Sequence, residues 1–253
     1  MLELENISAG YKNKRVLEGV SLTFPKGKLT AVIGANGSGK STLLKAIVGI
    51  IPRESGRILA DESDLSALSR QETARRIAYL PQGRSVPDMT VGQLVLHGRF
   101  PHLSYPRRYR EADRRIADEA MERMGMLGYA DRPLASLSGG MRQNAYIAMA
   151  LAQDAEYILL DEPTTYLDIS HQLGLMRTLR GLADGGKGVI AVLHDLPLAF
   201  SYSDLTAVID GGRAVMSGSP LEVCRSGIIS RVFGAELVYD EARGQFGYAY
   251  PPV

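Results

Sequence analysis

The stretch Gly34-Ala35-Asn36-Gly37-Ser38-Gly39-Lys40-Ser41 constrains this 253-residue chain more than any other, because it fits the pattern GxxxxGK[ST] in the setting its chemistry requires. An apolar run at 29–33 precedes it and a helix-like run at 41–48 follows. Gly34, Gly37 and Gly39 let the backbone curl so that successive N–H groups point inward at a polyphosphate. The start of the following helix adds partial positive charge. Lys40 is placed to neutralise the β- and γ-phosphates and the Ser41 hydroxyl to hold Mg²⁺, with Asn36, Ser38 and Thr42 completing the cradle.

A second feature supplies what a phosphate loop lacks. Tyr157-Ile158-Leu159-Leu160-Asp161-Glu162 is an apolar strand that ends in two carboxylates. In a parallel sheet these lie at the carboxyl edge beside the loop. Asp161 is expected to bind Mg²⁺, and Glu162 to polarise the water that attacks the γ-phosphate. A third feature is Ser138-Gly139-Gly140 ahead of a helical pattern at 141–153. It offers a hydroxyl, exposed N–H groups and a helix dipole, all suited to a phosphate, although the chain's own phosphate loop lies elsewhere.

Segments at 2–7 and 20–24 alternate and predict an antiparallel β layer, whereas 29–33, 77–80, 157–160 and 189–193 read as parallel core strands. From 83 to about 134 strand signals stop. Ile116, Ala117, Ala120, Met121 and Met124 form one helical stripe opposite Arg114, Arg115, Asp118, Glu119 and Arg123, which predicts a helical lobe. Residues 205–210 and 213–216 read as a hairpin covering the sheet, 220–233 as helix and 245–251 as weakly extended.

With 45% hydrophobic residues the chain can bury a large core, most simply as one α/β domain over 1–253. A net charge of +1 gives no electrostatic case for nucleic acid, and the arginine clusters at 75–76, 107–110 and 114–115 read as solvated helix faces. The single Cys224 excludes an internal disulfide and fits a reducing compartment. No apolar run approaches the ~18 residues needed to cross a bilayer, so service to a membrane requires a partner.

In order along the chain, Tyr11, the phosphate loop, Tyr79-Leu80-Pro81-Gln82, Leu137 to Gly140, Leu159 to Pro163, Leu167-Asp168 and His194-Asp195 resemble the nucleotide-binding subunit of an ABC transporter over essentially the whole length. That resemblance implies a P-loop NTPase cassette with ATP and Mg²⁺, working as a head-to-tail homodimer on a polytopic membrane permease at the cytoplasmic face of the membrane. It implies that Tyr11 stacks on adenine and that Ser138, Gly139 and Gly140 reach the nucleotide of the other copy. Gln82 then touches metal or water and links nucleotide state to the lobe, His194 donates to the γ-phosphate, and Asp168 lies at the dimer interface. Met141 stands where the family usually has Gln, and Asn144 where Arg is frequent, which implies a weaker contact to the opposing ribose.

Residues 164–172, including Tyr166, and Leu96-His97-Gly98-Arg99-Phe100-Pro101 resemble importers of metal chelates, with ferric siderophores ahead of haem and cobalamin. Such importers draw cargo from an extracytoplasmic binding protein, so His97, His102 and His171 are not read as iron ligands. The alternatives are a soluble ABC-type ATPase of translation or DNA maintenance, an ABC exporter, and a P-loop kinase or GTPase switch. The last leaves Gln82 and Leu137 to Gly140 unexplained.

Overall fold

The computed structural model describes residues 1–12, 14–83, 86–165 and 167–249. Its centre is a sheet of six strands in the order β10-β9-β3-β8-β7-β6. The strands are β3 (Leu29–Ile33), β6 (Ile77–Leu80), β7 (Tyr157–Asp161), β8 (Gly188–Val192), β9 (Leu205–Asp210) and β10 (Arg213–Gly218). All pair in parallel except β10, which runs antiparallel to β9. Every residue of β3, β7 and β8 is buried, which explains their continuous apolar character, since a parallel strand is covered on both faces.

Alternate residues along these strands feed two cores. Ala31, Ile33, Ile158, Leu160, Val189 and Ala191 face one side, where α6 (Ile169–Asp184) and α7 (Leu196–Tyr202) pack. Val32, Leu159, Ile190 and Val192 face the other, against α1 (Lys40–Ile47) and a four-stranded antiparallel sheet. That second sheet has the order β2-β1-β4-β5, from β1 (Leu2–Tyr11), β2 (Lys14–Phe24), β4 (Arg53–Ala60) and β5 (Ser63–Asp64). Strand β4 has no counterpart among the expected strands, because its first half, Arg-Glu-Ser-Gly-Arg, is largely exposed and polar.

The helices α3 (Val91–His97), α4 (Glu111–Arg123) and α5 (Gly139–Ala152) pack on one another. Ala117, Ala120, Met121 and Met124 of the expected stripe are buried there. The long α5 also contacts β6, tying these helices to the sheet beside the carboxyl end of β7. Between β5 and β6, α2 (Arg70–Arg76) begins with a Ser69–Glu72 capping box.

Three expectations change. The 205–216 hairpin does not cover the sheet: β9 enters it beside β3, and Thr206 to Ile209 are buried. The predicted helix at 220–233 is two helices, α8 (Pro220–Arg225) and α9 (Ile228–Phe233), separated at Gly227, whose φ of 75° is a left-handed conformation that glycine adopts without penalty. Arg107, Arg108 and Arg110 precede α4 and lie on no helix face. The extended tail is β12 (Gln245–Ala249), paired with β11 (Glu236–Asp240), and the remainder of the predicted stretch lies outside the described residues, as do Arg84, Ser85 and Tyr166. Among the described residues no helix is long and apolar enough to cross a membrane.

Candidate functional site

The phosphate loop leaves β3 through Gly34, where a β-carbon would sit 2.1 Å from the Ile209 carbonyl oxygen and 2.6 Å from the Ser38 hydroxyl. Only glycine fits between β9 and the loop. Gly39, at φ 108°, then turns the chain into α1, where an added β-carbon would press on Leu17 at 2.9 Å. The first N–H groups of α1 have no partner within the helix and open onto the loop. Lys40 is 5% exposed, and its ammonium donates to the carbonyls of Gly34 at 2.9 Å and Ala35 at 3.0 Å. Burial lowers its pKa, while the negative charges of Glu162 and Asp161 work in the opposite direction.

At the carboxyl end of β7 the two carboxylates have different surroundings. Asp161, 2% exposed, accepts a hydrogen bond from the Ser41 hydroxyl at 2.8 Å and one from the Tyr79 hydroxyl at 3.4 Å. Burial raises its pKa, and Glu162 adds to the rise against the pull of the Ser41 bond. Glu162 adopts φ 52°, unusual for a residue with a β-carbon, and so turns its side chain away from Asp161's pocket into the open cleft. There its carboxylate accepts from the Gln82 amide and from the Thr165 hydroxyl at 3.3 Å, and pairs with His194 Nε2 at 2.6 Å.

These groups line one cleft of about 580 Å³, with Asn36, Gly37, Gly39, Lys40, Ser41 and Thr42 on one wall and Gln82, Glu162 and His194 on the other. Gly34 and Ser38, in the same loop, are not among the residues that line it. The Ser38 hydroxyl is buried and without a partner among the described residues, an orphan donor in a cradle of backbone N–H groups that suits phosphate oxygens. The Ser41 hydroxyl and the Asp161 carboxylate, held together with no basic group between them, are an oxygen pair of the kind a hard divalent cation takes.

Other expected residues stand apart. Tyr11 ends β1 and is exposed, outside the cleft lining. Ser138 caps α5 by accepting from the Met141 N–H at 3.3 Å. Asp168 caps α6 by accepting from the His171 N–H at 2.9 Å, and bonds from His171 and Ser170 hold its pKa down at about 2. The two turns adjoin: a β-carbon on Gly140 would meet Leu167 at 3.5 Å and His171 at 3.8 Å. Neither turn lines the cleft. Met141 is half-buried against the core, and the Asn144 amide donates to the Met124 carbonyl at 3.4 Å, joining α5 to the end of α4.

Sequence reasoning assigned no role to Tyr79, Thr165 or Val16, which the fold brings to the site. Tyr79 and Thr165 were visible only as neighbours of Gln82 and Glu162. Val16 carried no polar signal at all.

The family model described as ABC transporter matches residues 17–165, from β2 through the Glu162 turn. The iron(3+)-hydroxamate import ATP-binding protein FhuC of Bacillus subtilis is 41% identical, over 94% of this chain and 90% of its own length. The ferric enterobactin transport ATP-binding protein FepC of Escherichia coli is 40% identical over 91% of this chain and 86% of its own. Among solved structures, cbiO1 from Clostridium perfringens, part of the ABC transporter complex cbiONQ, superposes with a TM-score of 0.77 at 28% identity, over 91% of this chain and 92% of that one. With the family model matched over more than half of the chain and a relative 41% identical over 94% of it, the chain belongs to the ABC transporter family.

Proposed function

We propose that this chain is the ATP-hydrolysing subunit of an importer that carries a metal chelate, specifically a ferric siderophore, through a separate membrane permease. The observation that carries the chemistry is Glu162, turned into the cleft by its left-handed backbone and held between Gln82, Thr165 and His194 opposite Lys40. The cargo rests on relatives named for hydroxamate and enterobactin import.

The chain acts as one nucleotide-binding domain over 1–253, with its helical lobe at about 83–134. Gly34 to Thr42 bind the phosphates through backbone N–H groups, Lys40 supplies the cation, and Ser41, Asp161 and Gln82 are the residues that would hold Mg²⁺. That ion, when bound, neutralises phosphate charge. Glu162 accepts the proton of the attacking water, while His194 orients Glu162 and donates to the γ-phosphate oxygen. Positioning and charge stabilisation supply most of the acceleration.

Tyr11 stacks on adenine. Because Ser138, Gly139, Gly140 and Asp168 lie together outside their own cleft, they are read as the surface that closes on the nucleotide of a second, head-to-tail copy. A groove of about 700 Å³ behind the site, lined by Ile47, Ile50, Leu65, Leu68, Tyr79 and Gln153, is the seat assigned to the permease, since its wall residue Tyr79 also reaches Asp161. Such docking places the chain at the cytoplasmic face of the membrane, and an extracytoplasmic binding protein delivers the cargo.

The test is isolation of the chain from detergent-solubilised membranes of its own cell. Co-purification of a polytopic subunit, with ATPase activity of the complex stimulated by a ferric-siderophore-loaded binding protein, is expected. Recovery with ribosomes or DNA-associated proteins alone would replace transport with the soluble-ATPase reading.

A further inference from the structure

Segment 103–110, between the helical turn Phe100–His102 and α4, forms a ridge on the surface of the lobe. Tyr105 is 95% exposed, and Arg107, Arg108 and Arg110 are exposed beside it. Arg75 from α2 joins them: Arg75 and Arg107 line a depression of about 570 Å³, and Arg108 and Arg110 line an adjoining one of about 420 Å³. Both depressions share Tyr105 and Pro106.

Among the described residues none of these four guanidiniums has a carboxylate within ion-pair distance. Arg75 donates to the Pro101 carbonyl at 2.8 Å, and Arg107 lies 4.6 Å from the centre of the Phe100 ring. Two of the nearby acids are engaged, while Glu111, next to Arg110, is exposed and forms no ion pair with the ridge among the described residues. Asp113 accepts from Arg99 at 3.2 Å and from the Arg110 N–H at 2.9 Å, and Glu72 accepts from the Ser69 N–H and hydroxyl. The ridge is also held in shape: the Gln71 amide donates to the carbonyls of Pro101 and Leu103, and His102 Nε2 bonds to the Gln153 carbonyl at 2.8 Å.

We propose that this arginine ridge is a docking surface for anionic lipid headgroups. Guanidinium groups offer paired donors to phosphate oxygens, and an exposed tyrosine at the crest suits the headgroup layer, where amphipathic rings accumulate. The charge is local, since the whole chain carries only +1, so it is a patch and not a general polyanion field. Its orientation rests on the permease reading above. Helix α2 turns Arg70, Thr73 and Ala74 toward the permease groove and Gln71 and Arg75 toward the ridge, so the two surfaces adjoin across one short helix, and a permease seated in the groove as proposed would hold the ridge within reach of the cytoplasmic leaflet.

Each arginine near an anionic leaflet contributes about fivefold in affinity, lost at high salt. The full chain is floated with vesicles of phosphatidylcholine alone and of phosphatidylcholine mixed with phosphatidylglycerol, at low and high salt. Retention on the mixed vesicles only, abolished by salt and reduced at least tenfold in Arg107→Glu/Arg108→Glu, is expected, with fluorescent-ATP affinity unchanged as the measure of folding. Equal flotation with neutral vesicles, or full retention of the double variant, overturns the proposal. Loss of permease association by the variant in neutral detergent, with vesicle flotation intact, also overturns it and assigns the ridge to a protein partner. Failure of the permease reading shows separately, as absence of any polytopic subunit with the wild-type chain.

Discussion

Glu162 has a positive φ of 52° that costs a residue with a β-carbon about 1 kcal/mol, and the bonds from Gln82, Thr165 and His194 offset that cost by fixing the carboxylate in the cleft. If the carboxylate is the base, Glu162→Gln keeps the shape and removes the proton acceptor. Nucleotide affinity should stay within twofold while turnover falls by about 10² or more, since general-base catalysis contributes roughly that much. Steady-state hydrolysis at the wild-type rate would remove Glu162 from the role. Thr165 offers a finer test of positioning. Thr165→Val deletes one hydrogen bond to a carboxylate, about 1.5 kcal/mol at the weak end for charged acceptors, so kcat should fall roughly tenfold with KM unchanged, and Thr165→Ser should restore it. A parallel loss in KM would mean that the hydroxyl serves binding and not the carboxylate.

At the scale of elements, the core strands and the loop–helix start of α1 were legible because burial on both faces demands unbroken apolar runs, and because the glycines at 34, 37 and 39 sit where the turn requires them. Strand β4 was not legible, since half of it is exposed and polar, nor was the place of β9, since a hairpin pattern does not reveal that its first strand pairs with β3 at distant sequence. The carboxylate pair and the roles expected of it, Asp161 toward Mg²⁺ and Glu162 toward water, could be read, but the geometry that separates them could not: it depends on backbone conformation at Glu162 and on Tyr79 and Ser41 converging on Asp161. The same limit hid the buried ion pair Arg99–Asp113, which fastens α4 to the end of α5 through Arg99's further bond to the Ala152 carbonyl at 2.9 Å. Burial pushes the Asp113 pKa up, but the Arg110 N–H and the Arg99 bond and charge outweigh it, leaving the carboxyl below its ordinary value. Its folded-state pKa is therefore lower than the unfolded one, so its stabilisation is present above about pH 4 and is lost as pH falls through the folded value. Asp113→Asn should cost about 3 kcal/mol at neutral pH, by leaving Arg99 buried without its counter-charge, and should flatten the acid limb of the stability curve below pH 4. Thermal melts from neutral to acid pH would show an unchanged acid limb if the pair is not what holds α4.

For the whole molecule the question is how firmly two copies close, and Met141 bears on it from two sides. As the third residue of α5 it sits beside the Ser138 cap, on the surface read as facing a second copy, yet it is half-buried against the core of its own chain. A thioether donates no hydrogen bond, so if a second copy closes on this surface as proposed, a glutamine here would add one neutral hydrogen bond of about 1 kcal/mol that Met141 does not supply. Met141→Gln should therefore act in opposite directions on two measurements. The folded monomer loses some apolar packing, so its melting temperature should drop slightly. ATP-driven dimerisation, measured by sedimentation in the Glu162→Gln background where nucleotide is not consumed, should strengthen about fivefold, because both states in that equilibrium are already folded and the packing loss cancels between them. A drop in melting temperature with no gain in dimerisation would mean that residue 141 serves only its own chain, and that closure depends on Ser138, the two glycines and Asp168 alone.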